Sequence, residues 1–126
     1  YNDAAGLTAE FNRNALRVIN RELDGDFVPD AFEHVAFFDP DRSRVEMHLR
    51  ATRAQRVRLR ALGLEIAFES GETIHTEISR KFRRADAEML YAAAGCTLER
   101  WWSDERGYFG EALGRVGGVS GRSARR

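Results

Sequence analysis

A glutamate and a serine placed two residues apart are the most informative chemical groups in the sequence. Glu77 and Ser79 lie at the end of segment 73–78, whose alternating apolar and polar residues predict a β-strand. Side chains two positions apart project from one face of a strand, so we expect both groups to lie together, opposite Ile74 and Ile78. Such a pair could hold a polar ring, because the carboxylate accepts from a ring N–H. The alternative is a solvated glutamate followed by a serine that caps a helix.

The histidines and the one cysteine do not show a spacing typical of a metal site. His34, His48 and His75 are far apart in the sequence, and none is suitably spaced from Cys96. We therefore expect surface or partly buried histidines and no bound metal. A Ser-His-Asp triad has no strand–serine–helix elbow to support it. A lone thiol cannot form an internal disulfide, so nothing here indicates secretion.

A row of arginines between residues 50 and 60 could contact phosphate groups. Its members are Arg50, Arg53, Arg56, Arg58 and Arg60. The alternative is the solvated face of a hairpin, neutralised by acids such as Glu46 and Glu65. The chain has 20 basic and 20 acidic residues, and no aromatic residues are interleaved with these arginines, which favours the solvated face. We expect neither a nucleic-acid partner nor a membrane partner.

The composition is ordinary for one small globular domain or part of a larger one. The chain has 126 residues, of which 43% are hydrophobic and 32% are charged. No apolar run approaches the roughly 18 residues of a membrane span. The chain begins at Tyr1 rather than Met, which we interpret as a fragment of a longer protein. It contains no Gly-rich nucleotide loop between a strand and a helix, since Gly117 and Gly118 lie in the polar C-terminal stretch.

Helical periodicity predicts two helices. The first follows Asp3, a candidate N-cap, and should end at Gly25 through a left-handed glycine. The second spans about residues 84–94 and should end at Gly95. A short helical turn is expected over residues 29–34.

Period-two alternation predicts the strands. One strand begins at 36–38, and runs 44–50 and 56–60 should form an antiparallel hairpin across the link 52–54. Further strands are expected over 64–68 and 73–78. The last two are expected over 97–102 and 108–113. The Gly-, Ser- and Arg-rich segment 114–126 should be disordered.

Eight separated segments, in the same order, resemble the histidine Nα-methyltransferase family. They are 1–14 (YNDAAGLTAEFNRN), 19–23 (INREL), 31–34 (AFEH), 45–49 (VEMHL), 71–72 (GE), 76–79 (TEIS), 81–82 (KF) and 101–104 (WWSD). Together they extend over about residues 1–113. Several motifs in the same order make the resemblance far more specific than any one of them.

The resemblance implies an α/β fold, a class I (Rossmann-like) methyltransferase with an inserted α+β substrate-binding subdomain. Residues 1–80 would be the substrate-binding subdomain, with a helix and antiparallel strands. Residues 81–113 would be the C-terminal helix and the antiparallel strand pair that completes the methyltransferase sheet. Segment 114–126 would be the disordered tail. S-adenosylmethionine would bind mainly to an N-terminal half that this chain lacks.

The resemblance also implies a reaction and its site. The reaction would be Nα-methylation of L-histidine to its trimethyl betaine, hercynine, in ergothioneine biosynthesis, by a cytoplasmic enzyme that is monomeric at full length. This chain alone would be inactive. Glu77 and Ser79 would hold the imidazole with Ile78 lining the site. Tyr1 would bind the substrate carboxylate, and Phe11 and Met47 would form pocket walls.

Two alternatives stay open at this point. One is an Nα-methyltransferase for another amino acid such as tryptophan, although an indole, which offers only a donor, fits a carboxylate and an adjacent serine less well. The other is a non-catalytic α+β module that binds a small molecule. No residue is assigned as a general base.

Overall fold

The computed structural model describes residues 1–117 and forms two compact units, Tyr1–Arg80 and Lys81–Arg126. The division falls where the sequence analysis separated the chain, and the roles given to the two parts stay predictions. Across residues 1–117, no helix combines the length and the apolar character needed to cross a membrane.

Helix α1 (Leu7–Leu23) begins at contacts made by Asp3. The Asp3 carboxylate accepts hydrogen bonds from the backbone N–H groups of Leu7 and Thr8, both at 2.9 Å. These bonds satisfy donors of the first turn that have no partner within the helix. Hydrogen bonds donated to the Asp3 carboxylate, first by Thr8 and then by Leu7, lower the pKa of Asp3 to about 2. Asp3 therefore supplies the predicted capping contacts, although Gly6 occupies the N-cap position.

The end of α1 differs from the prediction. Asp24, with φ 48°, adopts the left-handed conformation that we expected of Gly25. Gly25 is instead packed closely: a Cβ atom there would lie 2.9 Å from the side chains of Asn20 and Leu59. Glycine is thus required at position 25 because of close packing and not because of the sign of φ.

The N-terminal unit contains five strands and two short 3₁₀ turns. The strands are β1 (Phe32–Asp39), β2 (Arg44–Ala51), β3 (Gln55–Leu59), β4 (Leu64–Phe68) and β5 (Thr73–Arg80), and the turns are Pro29–Ala31 and Arg60–Leu62. Strands β1, β2 and β5 form an antiparallel sheet in the order β1-β2-β5, and β3 pairs with β4 in a separate antiparallel ribbon. Strand β1 begins at Phe32, so His34 lies in a strand and the helical turn predicted through residue 34 is wrong beyond Ala31.

The predicted hairpin between β2 and β3 is also wrong. Both edges of β2 are already occupied, by β1 on one side and by β5 on the other. The chain turns away after Ala51, where the backbone N–H of Thr52 donates to the carbonyl of Ala31 at 3.0 Å. Alternation alone identified both strands but could not indicate their partners, because pairing depends on contacts distant in the sequence.

The arginines of segment 50–60 are divided between these two sheets and do not form one row. Arg50 lies on β2 and pairs with Glu33 of β1 at 2.8 Å, whereas Arg56 lies on β3 and pairs with Glu65 of β4 at 2.9 Å. These ion pairs correspond to the neutralised face that the sequence analysis favoured over a phosphate-binding row.

The core of the N-terminal unit lies where α1 meets the two sheets. Its buried apolar residues are Leu16, Phe27, Ala31, Phe32, Leu49, Ala51, Val57, Leu59 and Phe68. Three of them form an aromatic cluster, with ring centroids 5.7 Å apart for Phe27–Phe32 and 5.4 Å apart for Phe32–Phe68. Edge-to-face pairs of this kind stabilise a core beyond the burial of their area, by about 0.5–1.5 kcal/mol each.

The C-terminal unit is a helix followed by a hairpin. Helix α2 (Arg84–Ala93) precedes β6 (Cys96–Ser103) and β7 (Gly110–Val116), which pair in antiparallel. The disordered tail predicted from residue 114 is wrong for residues 114–116, which pair with residues 96–98. Arg115 also forms an ion pair with Glu99 across the hairpin at 2.9 Å, so its charge supports the strand. The tail predicted over 118–126 lies outside the described residues.

No residue of segment 81–117 is fully buried. Large apolar side chains lie exposed on it, including Met89, Leu90, Trp102, Tyr108 and Phe109. A helix and one hairpin are too few elements to enclose a core, so these side chains form a surface typical of a docking face.

The buried centre of the N-terminal unit should be sensitive to truncation. Leu49 is 0% exposed, and we expect Leu49→Ala to lower the free energy of unfolding by about 2–5 kcal/mol, since it leaves a cavity. Leu62→Ala removes the same atoms from a side chain that is 59% exposed. This substitution should change the free energy of unfolding by less than about 1 kcal/mol. Urea unfolding of both variants tests this, and equal losses would contradict the assignment of the core.

The apolar surface of the C-terminal unit should be detectable in the 126-residue chain. We expect this chain to enhance the fluorescence of an apolar dye, and expect the double variant Met89→Lys, Phe109→Lys to reduce the enhancement. Leu7→Lys, Leu62→Lys is the matched control, because both leucines are exposed in the N-terminal unit. A sharp, cooperative unfolding transition without dye binding would contradict this expectation.

Candidate substrate-binding site

A β-bulge in β5 determines which side chains share a face of the three-stranded sheet. Leu49 of β2 pairs with Ile74 of β5, and Met47 pairs with Glu77. A step of two residues along β2 therefore corresponds to a step of three residues along β5. Thr76 is the extra residue, and its hydroxyl donates to the carbonyl of Met47 at 3.0 Å. A bulge of this kind shifts the alternation of side chains by one position.

The two faces of the sheet therefore differ from those that strict alternation predicts. The α1 face, which packs against α1, carries His34, Val45, Met47, Leu49, Ile74, Glu77 and Ser79. The opposite face carries Val35, Phe37, Glu46, His48, His75 and Ile78. Glu77 and Ser79 do share a face, as predicted. However, Ile74 lies on that same face, contrary to the prediction. Ile78 pairs with Glu46 on the opposite face, as predicted, and its role in lining the site stays a prediction.

Tyr1 and Ser79 are in direct contact although they are 78 positions apart. The Tyr1 hydroxyl donates to Oγ of Ser79 at 2.7 Å. The N-terminal segment is further attached to the edge strand, since the Asn2 amide donates to the carbonyl of Ala36 at 3.1 Å. The structure thus brings together two of the residues predicted to contact substrate.

A chain of hydrogen bonds connects α1 to this N-terminal segment. Asn12 is 3% exposed, and its amide donates to Nδ1 of His34 at 2.9 Å and to the carbonyl of His48 at 3.1 Å. Nε2 of His34 lies 2.8 Å from the carbonyl of Tyr1. Because Nδ1 accepts from Asn12, Nε2 carries the proton and donates to Tyr1. Asn12 and His34 therefore fix the position of Tyr1.

Glu77 is the carboxylate of this site that is available to a ligand. It is exposed, and among residues 1–117 it has no hydrogen-bond donor or cation as a partner. Met47, directly across from it on β2, is 3% exposed. An unpaired carboxylate beside a buried thioether and near a hydroxyl can receive a ring that is apolar on its faces and polar at its edge.

Phe11 lies on α1 next to Asn12 and is 68% exposed. It makes no ring contact with the other aromatic residues of segment 1–117. The structure therefore places it on the helix that covers the α1 face, and its role as a pocket wall stays a prediction.

A second polar cluster lies on the opposite face of the sheet. Oε1 of Glu46 is 3.1 Å from Nε2 of His48 and 3.6 Å from Nε2 of His75. The two imidazoles stack with centroids 4.4 Å apart, and Phe37 stacks on His48 at 5.3 Å. Arg44 binds the other carboxylate oxygen of Glu46 at 3.0 Å.

Sequence reasoning missed Asn12, His34 and the Glu46 cluster for different reasons. Asn12 had a signal, because it interrupts the apolar stripe of α1 between Phe11 and Ala15, where a polar side chain needs a buried partner. The Glu46 cluster had no such signal in the sequence. His48 and His75 are brought together by strand pairing across 27 positions, which no local spacing reveals.

Comparison with known proteins identifies relatives of this chain. A family model described as "Histidine-specific methyltransferase, SAM-dependent" matches residues 1–116. The histidine N-alpha-methyltransferase of Mycolicibacterium smegmatis (strain ATCC 700084 / mc(2)155) is 53% identical over 113 residues. That of Mycobacterium tuberculosis (strain CDC 1551 / Oshkosh) is 52% identical over 113 residues. Each alignment covers 90% of this chain but 35% of the relative, so the chain spans about a third of the length of the relatives it matches.

The Asn12 hydrogen bonds should contribute measurably to stability. We expect Asn12→Ala to lower the free energy of unfolding by about 1–3 kcal/mol, because the carbonyl of His48 and Nδ1 of His34 lose their donor. Asn14→Ala makes the same change on the exposed side of α1 and should alter the free energy of unfolding by at most about 0.5 kcal/mol. Chemical denaturation measures both variants, and equal effects would show that this network is not stabilising.

Proposed function

Because the chain belongs to the histidine-specific, S-adenosylmethionine-dependent methyltransferase family, we propose that the protein containing it methylates the α-amino nitrogen of L-histidine. The observation that carries this proposal to the residues is the unpaired Glu77 carboxylate, which lies on one face with the Ser79 hydroxyl and opposite buried Met47. In this proposal, residues 1–80 bind the substrate.

Glu77 and Ser79 recognise the imidazole. The carboxylate accepts a hydrogen bond from a ring N–H, and the hydroxyl serves the second ring nitrogen as donor or acceptor. A hydrogen bond to a charged group contributes about 1.5–3 kcal/mol, which is sufficient to discriminate between amino acids. Met47 lies across from Glu77 and limits the space beside the ring. Phe11 is the second wall of the pocket.

Tyr1 recognises the substrate carboxylate. Its hydroxyl reaches Ser79 at 2.7 Å, so the groups that hold the two ends of histidine are adjacent. The hydrogen bond from His34 to the carbonyl of Tyr1 holds this residue beside the sheet. Fixing the ring and the carboxylate leaves the α-amine as the group presented for transfer, and such positioning is the main requirement of methyl transfer to an amine.

Residues 1–117 do not fit S-adenosylmethionine. All strand pairs among them are antiparallel, and the link from β5 to α2 contains no glycine, whereas a methyl-donor site of the doubly wound type needs a Gly-rich turn between a strand and a helix. We therefore place the methyl-donor site in a part of the protein outside this chain. This chain would be inactive by itself. The exposed apolar face of residues 81–117 suits contact with such a part.

We propose the remaining features on the strength of the family alone. The whole protein would have a Rossmann-like methyltransferase fold, with residues 1–80 as an inserted subdomain and residues 81–116 completing the main sheet. It would act as a cytoplasmic monomer. Successive transfers would give the trimethyl betaine hercynine, as a step of ergothioneine biosynthesis.

A competition assay tests the substrate and the role of Glu77 together. The protein that contains this chain is incubated with S-adenosylmethionine and equimolar histidine, tryptophan, tyrosine and phenylalanine, and mass spectrometry identifies the products. We expect methylated histidine, with up to three added methyl groups. We expect Glu77→Ala to lower kcat/KM for histidine by about ten- to a hundredfold, which corresponds to the loss of one charged hydrogen bond.

Glu69→Ala is the matched control, because it removes an exposed carboxylate from the turn between β4 and β5. It should leave kcat/KM within about twofold of the unmodified protein. Methylation of tryptophan in place of histidine would keep the family and overturn the substrate. Absence of any product from folded protein that binds S-adenosylmethionine would favour a non-catalytic binding module.

A further inference from the structure

We propose that Glu46, His48 and His75 form a binding site for a divalent transition-metal ion such as Zn²⁺, on the sheet face opposite Glu77. Two imidazoles and one carboxylate are a donor set that zinc binds in proteins, with water completing the tetrahedron. The inference is independent of the proposed function, because it concerns other side chains and a different face.

The donor atoms already lie at separations close to those of a metal site. Tetrahedral zinc with bonds of about 2.0–2.1 Å places its ligand atoms roughly 3.3 Å apart. Oε1 of Glu46 lies 3.1 Å from Nε2 of His48 and 3.6 Å from Nε2 of His75, and suitable donor atoms of all three residues lie within 4.8 Å of one another. Small side-chain movements are therefore sufficient to close the site.

Neighbouring side chains hold two of the three ligands in place. Arg44 binds Oε2 of Glu46 through Nε at 3.1 Å and Nη2 at 3.0 Å, which aims Oε1 at the histidines. Phe37 stacks on the outer side of the His48 ring. Outer contacts that orient ligands in this way are a regular part of metal sites.

The imidazoles can supply lone pairs with limited rearrangement. Nδ1 of His48 is buried and has no hydrogen-bond partner among residues 1–117, so no acceptor on that side fixes the tautomer. Nε2 can thus change from a donor toward Glu46 to a metal ligand. The rings of His75 and His48 stack with an angle of 12° between their planes. The His75 ring must therefore rotate so that its Nε2 lone pair points at the ion. Its side chain is 39% exposed, which leaves space for that rotation.

The position of the site gives it a structural consequence. His48 and His75 lie immediately beside the bulge at Thr76, and Glu77 follows the bulge on the α1 face. An ion bound by both strands would tie β2 to β5 at the point where the direction of Glu77 is determined. Metal binding would therefore stabilise the strand irregularity that the substrate site requires.

Zinc binding to the protein that contains this chain tests the proposal. Zn²⁺ is titrated in competition with a chromophoric chelator, and Co²⁺ binding is followed by its visible absorption. We expect His75→Ala and Glu46→Gln each to weaken Zn²⁺ binding by at least about tenfold. His34→Gln and Glu33→Gln are matched controls, which remove a histidine and a carboxylate of β1 outside the cluster and should leave the affinity unchanged.

Ring-nitrogen NMR of the unmodified protein provides a second measurement that does not depend on variants. We expect Zn²⁺ to shift the ring resonances of His48 and His75 but not those of His34. Unchanged affinity in His75→Ala, or shifts of neither His48 nor His75, would overturn the proposal. Methyltransferase activity is assayed separately, so loss of the zinc site and failure of the proposed reaction are distinguishable results.

Discussion

The extra residue in β5 is the constraint on which the rest of the N-terminal unit depends. Thr76 places Ile74 toward the core and still directs Glu77 and Ser79 to the same face. Without it, strict alternation would place either the core residue or the polar pair on the wrong side. The hydroxyl of Thr76 satisfies the carbonyl of Met47, so the irregularity costs no backbone hydrogen-bond partner there. One bulge thus allows a single short strand to supply both a core residue and a polar pair on the same face.

The sequence predicted elements well and their partners poorly, for a physical reason. Periodicity reports burial along a segment, and it located α1, α2 and each alternating run. It could not report that β2 is central in its sheet, because Thr52 is directed to Ala31 by a tertiary hydrogen bond. The same applies at the site. That Glu77 and Ser79 share a face opposite Ile78 follows from local spacing, whereas Ile74 was placed on the wrong face because a bulge leaves no mark in a single sequence.

The two units differ in how far they are complete. The N-terminal unit encloses an aromatic core and satisfies Asn12 inside it. Within segment 81–117 nothing is fully buried, and a cleft lined by Phe82, Ala87, Leu90, Tyr91, Trp101, Gly110 and Ala112 is open. Together with a chain that spans about a third of the length of its relatives, this contrast suits our proposal that the N-terminal unit binds substrate and that other elements complete the second unit.

Under the proposed function, the contact between Tyr1 and Ser79 makes binding of the substrate carboxylate an exchange of hydrogen bonds. The Tyr1 hydroxyl has one proton, which it donates to Oγ of Ser79 at 2.7 Å, so a substrate carboxylate of the kind proposed must replace Ser79 as the acceptor of that proton. In that proposal the exchange favours the ligand, because an ionised carboxylate is a stronger acceptor than the Ser79 hydroxyl. A ring nitrogen of histidine would offer Ser79 a hydrogen-bond partner in place of Tyr1, whereas the ring of phenylalanine would offer none. In this proposal the hydrogen bond between Tyr1 and Ser79 competes with the ligand, and amino acids whose rings cannot hydrogen-bond are the least able to replace it.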